Sequence, residues 1–300
     1  MAETVHLAIP ADGEDYRFYA EVAAESARRG SSLPVEVHFI DWTTVDRARL
    51  ERLGRWHGSA IAFSRLFLAE LFPDLDWVIS CDADVLFRGD VADLWRLRDD
   101  SVSILAQRDR PLPPHPYTEA HIDWYRAHGL AFADPTSYFC DGVCLCNLAR
   151  WRRLGLQERF VALAERFRDW PSPDQMILNY VLQDDKRLLS RQWGFFSGDE
   201  NADVDWSRSG AAHFVEDPPW NRHKVTHLMT DLVVEWRRLA NELGGRYALS
   251  GWRRWAYLLL NRNPWILRLH PKLWLHLRSA KASVRAVRPR PPVPETSKRK

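Results

Sequence analysis

The sequence predicts an α/β fold with a mainly parallel central sheet flanked by helices. Three observations predict it. Short β-type runs alternate with helical segments, polar turns or a proline separate them, and carboxylates follow the strands rather than interrupt them. Three hundred residues with 46% hydrophobic content suffice to bury a core of that size.

The elements follow in order. VHLAIP (5–10) is a first strand, and the polar turn ADGED leads into an Ala-rich helical pattern from Tyr16 to Arg29. VEVHFID (35–41) is a second strand. Ile61 to Phe72 has apolar residues at helical spacing and Pro73 stops it. DWVIS (76–80), SVSILAQ (101–107) and GVCLCNL (142–148) are further strands. One helix is expected from Leu148 to Trp170 and another from Asp174 to Leu182. In such sheets ligands bind beyond the carboxyl ends of the strands, so Asp12, Asp41, Asp82, Asp84 and Asp109 are expected to line a common rim.

Within VISCDADVLFRGD (78–90) an apolar strand ends on two carboxylates one residue apart. Unpaired charge is costly inside a sheet. The pair therefore stands at the edge, as a solvated turn, or holds a cation. Hard oxygen donors suit Mg²⁺ or Mn²⁺, which keep positions open for phosphate oxygens. His213, in AAHFVEDPPWN (211–221), is a candidate third ligand, and an imidazole favours Mn²⁺; alone, a histidine beside Phe214 reads equally as a core residue. No G-x-G-x-x-G follows the first strand and no G-x-x-x-x-G-K-[ST] occurs, which argues against glycine-loop phosphate binding.

Cys81, Cys140, Cys144 and Cys146 have neither the spread of a disulfide framework nor zinc-type C-x-x-C spacing, and are expected to be reduced, buried thiols. The N-terminus lacks a basic n-region and a long apolar h-region, so the expectation is a cytoplasmic protein. The net charge of +2 conceals a split. From residue 251 onward there are 13 Lys and Arg against the single acid Glu295, leaving 29 basic and 39 acidic residues before it.

Five blocks, in order, resemble the retaining glycosyltransferases of family eight, the group of glycogenin and the bacterial lipopolysaccharide galactosyl- and glucosyltransferases. They are AIPADGEDY (8–16), FSRLFLAELFPDLDWVISCDADVLFRGDVADLW (63–95), YFCDGVCLCNLARWR (138–152), PDQMILN (173–179) and HFVEDPPW (213–220). The resemblance implies a single GT-A type nucleotide-sugar-binding domain over 1–245. It implies Mn²⁺ (or Mg²⁺) on Asp82, Asp84 and His213, bridging the diphosphate of a UDP-sugar. Asp12 and Tyr16 would contact the uracil or ribose, and Arg65 the donor side. Asp109, Asp141, Asp174 and Gln175 would surround the transferred hexose. Cys140 replaces a sugar-facing Asn of the family. The lysine expected before Pro-Trp is Pro218 here, so Lys224 or Arg222 would have to supply that charge to the diphosphate.

The end of the chain, 250–300, mixes four Trp with Leu and Arg. Its longest apolar run, Trp255 to Leu260, is too short to span a bilayer. Amphipathic membrane-associating helices are expected over 246–286, drawn to an anionic inner leaflet that holds a glycolipid acceptor, with a disordered basic tail over 287–300. Packing of the aromatic stretch on the catalytic body is the alternative. No nucleic-acid motif accompanies the charge. Two other functions compete: a haloacid-dehalogenase-type phosphohydrolase with Asp82 as nucleophile, and a sugar-nucleotide-binding relative without catalysis.

Overall fold

The computed structural model describes residues 3–56, 58–109, 116–167, 170–196, 210–215, 218–220 and 230–245. The strands are β1 (Val5–Pro10), β2 (Val35–Ile40), β3 (Trp77–Cys81), β4 (Val85–Phe87), β5 (Ile104–Arg108), β6 (Phe139–Asn147), β7 (Lys186–Leu189), β8 (Phe195–Phe196) and β9 (Ala211–His213). The α-helices are α1 (Gly13–Gly30), α2 (Arg47–Leu53), α3 (Leu68–Leu71), α4 (Val91–Trp95), α5 (Pro116–Ala127), α6 (Leu148–Arg153), α7 (Leu156–Arg166), α8 (Pro173–Val181) and α9 (Thr230–Glu242). All of these lie within one compact unit, Met1–Ala248. The tail expected over 246–300 and Lys224 lie outside the described residues.

Six strands form one sheet in the order β2-β1-β3-β6-β5-β7. Five share a direction, and β6 runs antiparallel to both its neighbours. Alternation along each strand sends Val5, Leu7, Ile9, Ile79 and Leu145 to one face and Ala8, Val78, Ile104 and Cys146 to the other. Helices α1, α4 and α9 cover the first face. Helices α2, α3, α5, α6, α7 and α8 cover the second, with the segment Ile61–Phe67. A smaller sheet, β4-β9-β8, sits beside the end of β3. All four cysteines are free and buried, as expected of thiols used as small hydrophobes.

Several expected elements differ. Ile61–Phe67 is a 3₁₀ helix and only Leu68–Leu71 is α-helical; six of the seven 3₁₀ residues are buried, so no single amphipathic face governs the segment. The helix expected over 148–170 is two helices, broken at Gly155, whose φ of +58° a residue with a Cβ adopts at a cost. The antiparallel course of β6 carries no mark in the sequence, because all nine of its residues are buried and a strand covered on both faces reads alike in either direction. β4, β7, β8, β9, α2, α4, α5 and α9 escaped the sequence reading, the strands because runs of two to four residues give too few alternations to score.

Asn179 on α8 fixes the start of β6. Its Oδ1 accepts from the Phe139 N–H at 2.9 Å, and its Nδ2 donates to the Phe139 carbonyl at 2.7 Å and to the Gln175 carbonyl at 2.9 Å. Asn179→Ala should therefore lower the unfolding free energy by about 3 kcal/mol, since three bonds go and a buried N–H is orphaned. The urea midpoint at unchanged slope reads this, and a loss below about 1 kcal/mol would contradict it.

Candidate active site

The acid pair stands where β3 hands over to β4. β4 pairs antiparallel with β9 so that Val85 lies opposite His213, and the Phe214 N–H donates to the Asp84 carbonyl at 3.0 Å. This register carries His213 Nε2 to 3.1 Å from Asp82 Oδ2 and 3.2 Å from Asp84 Oδ1. One ligating atom from each of the three residues lies within 4.8 Å of the others.

A close approach of backbone to ring makes this possible. A Cβ built on Gly142 would stand 2.0 Å from His213 Cε1 and 2.2 Å from Nδ1, so the imidazole occupies space that only glycine leaves open. The Asp82 N–H donates to the Gly142 carbonyl at 3.0 Å. A bulge sharpens the same region, because residues 141–143 of β6 have no partner on β5 between Ala106 and Gln107. Cys140 Sγ lies 3.6 Å from His213 Nδ1, on the far side of the ring from the acids.

Arg65 is the counter-charge. It is 3% exposed and pairs with Asp82, lies 3.1 Å from Asp141 Oδ2 and 3.9 Å from Asp174 Oδ2, and donates to the Asp141 carbonyl at 3.0 Å. Burial works against ionised Asp82, yet Arg65 and His213 outweigh it and hold the carboxyl below its ordinary range. Burial pushes Asp141 and Asp174 up; Arg65 opposes this in both without overcoming it. Burial alone would lower His213, but the Asp84 carboxylate and the hydrogen bonds to both acids raise it well above its ordinary value. The Cys140 thiol is pushed up to about 11 by burial and stays protonated near neutral pH.

The structure thus brings together Asp82, Asp84, His213, Arg65, Asp141 and Asp174. Gln175 follows on α8, buried, with an Nε2 that has no hydrogen-bond partner; Arg65 Nε also lacks one. Buried polar atoms left unpaired among the protein's own groups fit a polar ligand. Two carboxylates and an imidazole converging beside the Gly142 backbone likewise fit a hard divalent ion.

Asp109 follows β5, buried, and accepts from Thr118 Oγ1 at 2.9 Å. Asp12 accepts from the Trp42 indole N–H at 2.6 Å, at the start of α1. Tyr16 is 49% exposed, edge-on to Trp220 at 6.0 Å and to Tyr19 at 5.7 Å, while Tyr19 stacks on Trp220 at 3.9 Å. Its phenol is raised by partial burial and then by Asp84, Asp82 and Asp12, so it stands within electrostatic reach of the acid pair. Asp41 follows the carboxyl end of β2, where its carboxylate accepts from the Thr43 N–H at 2.9 Å and caps its own turn.

Sequence reasoning gave no role to Trp42, Gly142, Tyr19 or Trp220. Gly142 and Trp220 stood inside quoted blocks, but their importance lies in contacts with residues distant in sequence.

A family profile described as "Glycosyl transferase family 8" matches residues 14–215. No curated protein matches the chain in sequence. Solved structures share its fold. The galactosyltransferase LgtC, in complex with donor and acceptor sugar analogs, is 21% identical with a TM-score of 0.65, over 83% of this chain and 99% of that one. The apo form of WbbM, a bifunctional glycosyltransferase, is 16% identical with a TM-score of 0.62, over 80% of this chain and 50% of that one, so this chain spans half its length. GlyE of Streptococcus pneumoniae TIGR4 is 20% identical with a TM-score of 0.57, over 80% and 63%.

Two outcomes follow from the geometry. Gly142→Ala forces the imidazole away from the acids and should weaken Mn²⁺ binding at least tenfold; unchanged affinity in calorimetry would contradict it. His213, raised above 6.5 in the metal-free protein, contributes stability that is full below about pH 6.5 and is lost as the pH rises through its folded value. A metal must displace that proton, so Mn²⁺ uptake near neutral pH should release about one proton and tighten as the pH rises. Titration in two buffers of different ionisation heat reads the proton, and none released would contradict the expectation.

Proposed function

Because the chain belongs to glycosyl transferase family 8, we propose that it moves a hexose from a UDP-sugar, with retention, to a membrane-associated glycan or glycolipid of lipopolysaccharide or capsule type. The observation that carries the reading is the convergence of Asp82, Asp84 and His213 beside a buried, polar and partly unpaired cluster. Those three residues would hold Mn²⁺, or Mg²⁺. When bound, the ion supplies Lewis-acid stabilisation of the charge that develops on the departing diphosphate.

The remaining roles fall to the chain's own groups. The aromatic shelf of Tyr16, Tyr19 and Trp220 offers a stacking surface for a uracil ring, with Asp12 beside it to accept from uracil or ribose. Asp109, Asp141 and Asp174 accept from sugar hydroxyls, and the unpartnered Gln175 Nε2 donates to one. Double displacement needs a nucleophile beneath the ring, and the amide of Gln175 is a poor one compared with a carboxylate. Asp141 and Asp174 are turned toward Arg65 and pushed up by burial, which lowers the ionised fraction of each. We therefore favour front-face attack. The bond from anomeric carbon to phosphate oxygen breaks, the acceptor oxygen bonds to that carbon on the same face, and the acceptor's proton passes to the departing phosphate oxygen. Gln175 and Asp174 orient the sugar during this step.

We assign 1–245 to the catalytic domain, and read the basic, aromatic stretch 246–286 and the basic end 287–300 as a contact with the anionic inner face of the cell membrane. The charge split in the sequence supports that reading, and no helix among the described residues is long and apolar enough to cross a membrane. Lys224 remains our choice for the second charge on the diphosphate. The phosphohydrolase alternative fares poorly, because the Asp82 carboxylate is engaged by Arg65 and His213 rather than free for attack.

The test is UDP release from a panel of UDP-hexoses with and without Mn²⁺. Release from at least one donor should need the metal and fall at least a hundredfold in Asp84→Asn. No metal-dependent release, with Mn²⁺ still bound, would favour a non-catalytic relative. Gln175→Ala should slow turnover without the near-complete loss that removing a covalent nucleophile causes.

A further inference from the structure

We propose that His6, Glu36 and His38 form a second metal site, for a divalent ion of the zinc class, on the edge of the main sheet. β1 and β2 run parallel with His6 opposite Glu36 and Ala8 opposite His38. Period-two alternation puts all three side chains on one face. Ala8 is the next residue after His6 on that face of β1, across from His38, and its side chain is no more than a methyl, so it does not keep the two rings apart. They stack at 5.5 Å between centroids, 24° apart in plane.

The donor atoms already stand at coordination spacing. His6 Nδ1 lies 3.2 Å from His38 Nε2 and 3.5 Å from a Glu36 oxygen, and His38 Nε2 lies 4.0 Å from the other. Tetrahedral zinc with bonds of about 2.0–2.1 Å spaces its ligand atoms about 3.3 Å apart. The nitrogen pair meets that value, and the Glu36 side chain, 59% exposed, is free to close the longest edge. Only one proton fits between two facing ring nitrogens, whereas a cation satisfies both lone pairs and the carboxylate together. The rings are also braced, His38 against Phe72 at 4.9 Å and His6 against Trp95 at 6.0 Å.

Donor chemistry separates this site from the one above. Two imidazoles and one carboxylate select Zn²⁺ over Mg²⁺ or Mn²⁺, whereas two carboxylates and one imidazole are the harder set. Position separates them too. His6 is the second residue of β1, toward the end of the sheet away from Asp12, so the site does not face the donor pocket. A zinc ion there staples the edge strand β2 to β1 and leaves a fourth position for water.

The experiment uses the full chain, stripped of metal and dialysed against Zn²⁺, with His38→Gln and Glu36→Gln compared to the unaltered protein. The unaltered chain should retain one more equivalent of zinc than His38→Gln, and Glu36→Gln should bind that equivalent at least tenfold more weakly, with the circular dichroism of both variants unchanged. Equal zinc stoichiometry and affinity in all three would overturn the site and leave a hydrogen-bonded imidazole pair. If His38→Gln fails to fold, Glu36→Gln decides alone, because its carboxylate is at the surface.

Discussion

Arg65 carries its guanidinium into the interior beside Asp82, Asp141 and Asp174. A lone cation at that depth would cost several kcal/mol, and so would each lone carboxylate. Together they are tolerable, and the rest of the site depends on that compensation. One positive charge shared among three acids still leaves the cluster short. Burial accordingly keeps Asp141 and Asp174 high, while His213 takes up a proton between Asp82 and Asp84. A pocket short of positive charge is prepared for a divalent cation.

The fold delivers these groups from four separate stretches of chain. Arg65 comes from a 3₁₀ segment buried on nearly all sides, Asp82 and Asp84 from the end of β3, Asp141 from a bulge in β6, and Asp174 from the first turn of α8. The antiparallel course of β6 runs its bulge alongside the carboxyl end of β3. The short β4–β9 ladder brings in the imidazole, and the missing side chain of Gly142 gives it a seat. Asn179 locks the start of β6 to α8, which holds Asp141 and Asp174 in a common frame.

Much of this was legible in the sequence. β1, β2 and β3 appeared within a residue of their expected bounds, because polar turn residues follow each of them. The acid pair and His213 were legible as chemistry, and the family resemblance joined them. Contacts that depend on register were not. Trp42 on Asp12, Gly142 under the imidazole, and the Tyr19–Trp220 stack each join residues far apart in sequence. The local bond from the Thr43 N–H to the Asp41 carboxylate was likewise not read, although Asp41 follows its strand as expected.

The central claim is that one metal ion is held by both aspartates and by the distant imidazole. Pulsed electron paramagnetic resonance on the Mn²⁺-loaded chain, grown with ¹⁵N-histidine, tests it most directly. The account predicts a single histidine nitrogen coupled to the manganese, lost in His213→Gln and retained in His38→Gln. Bound Mn²⁺ with no nitrogen coupling would contradict it.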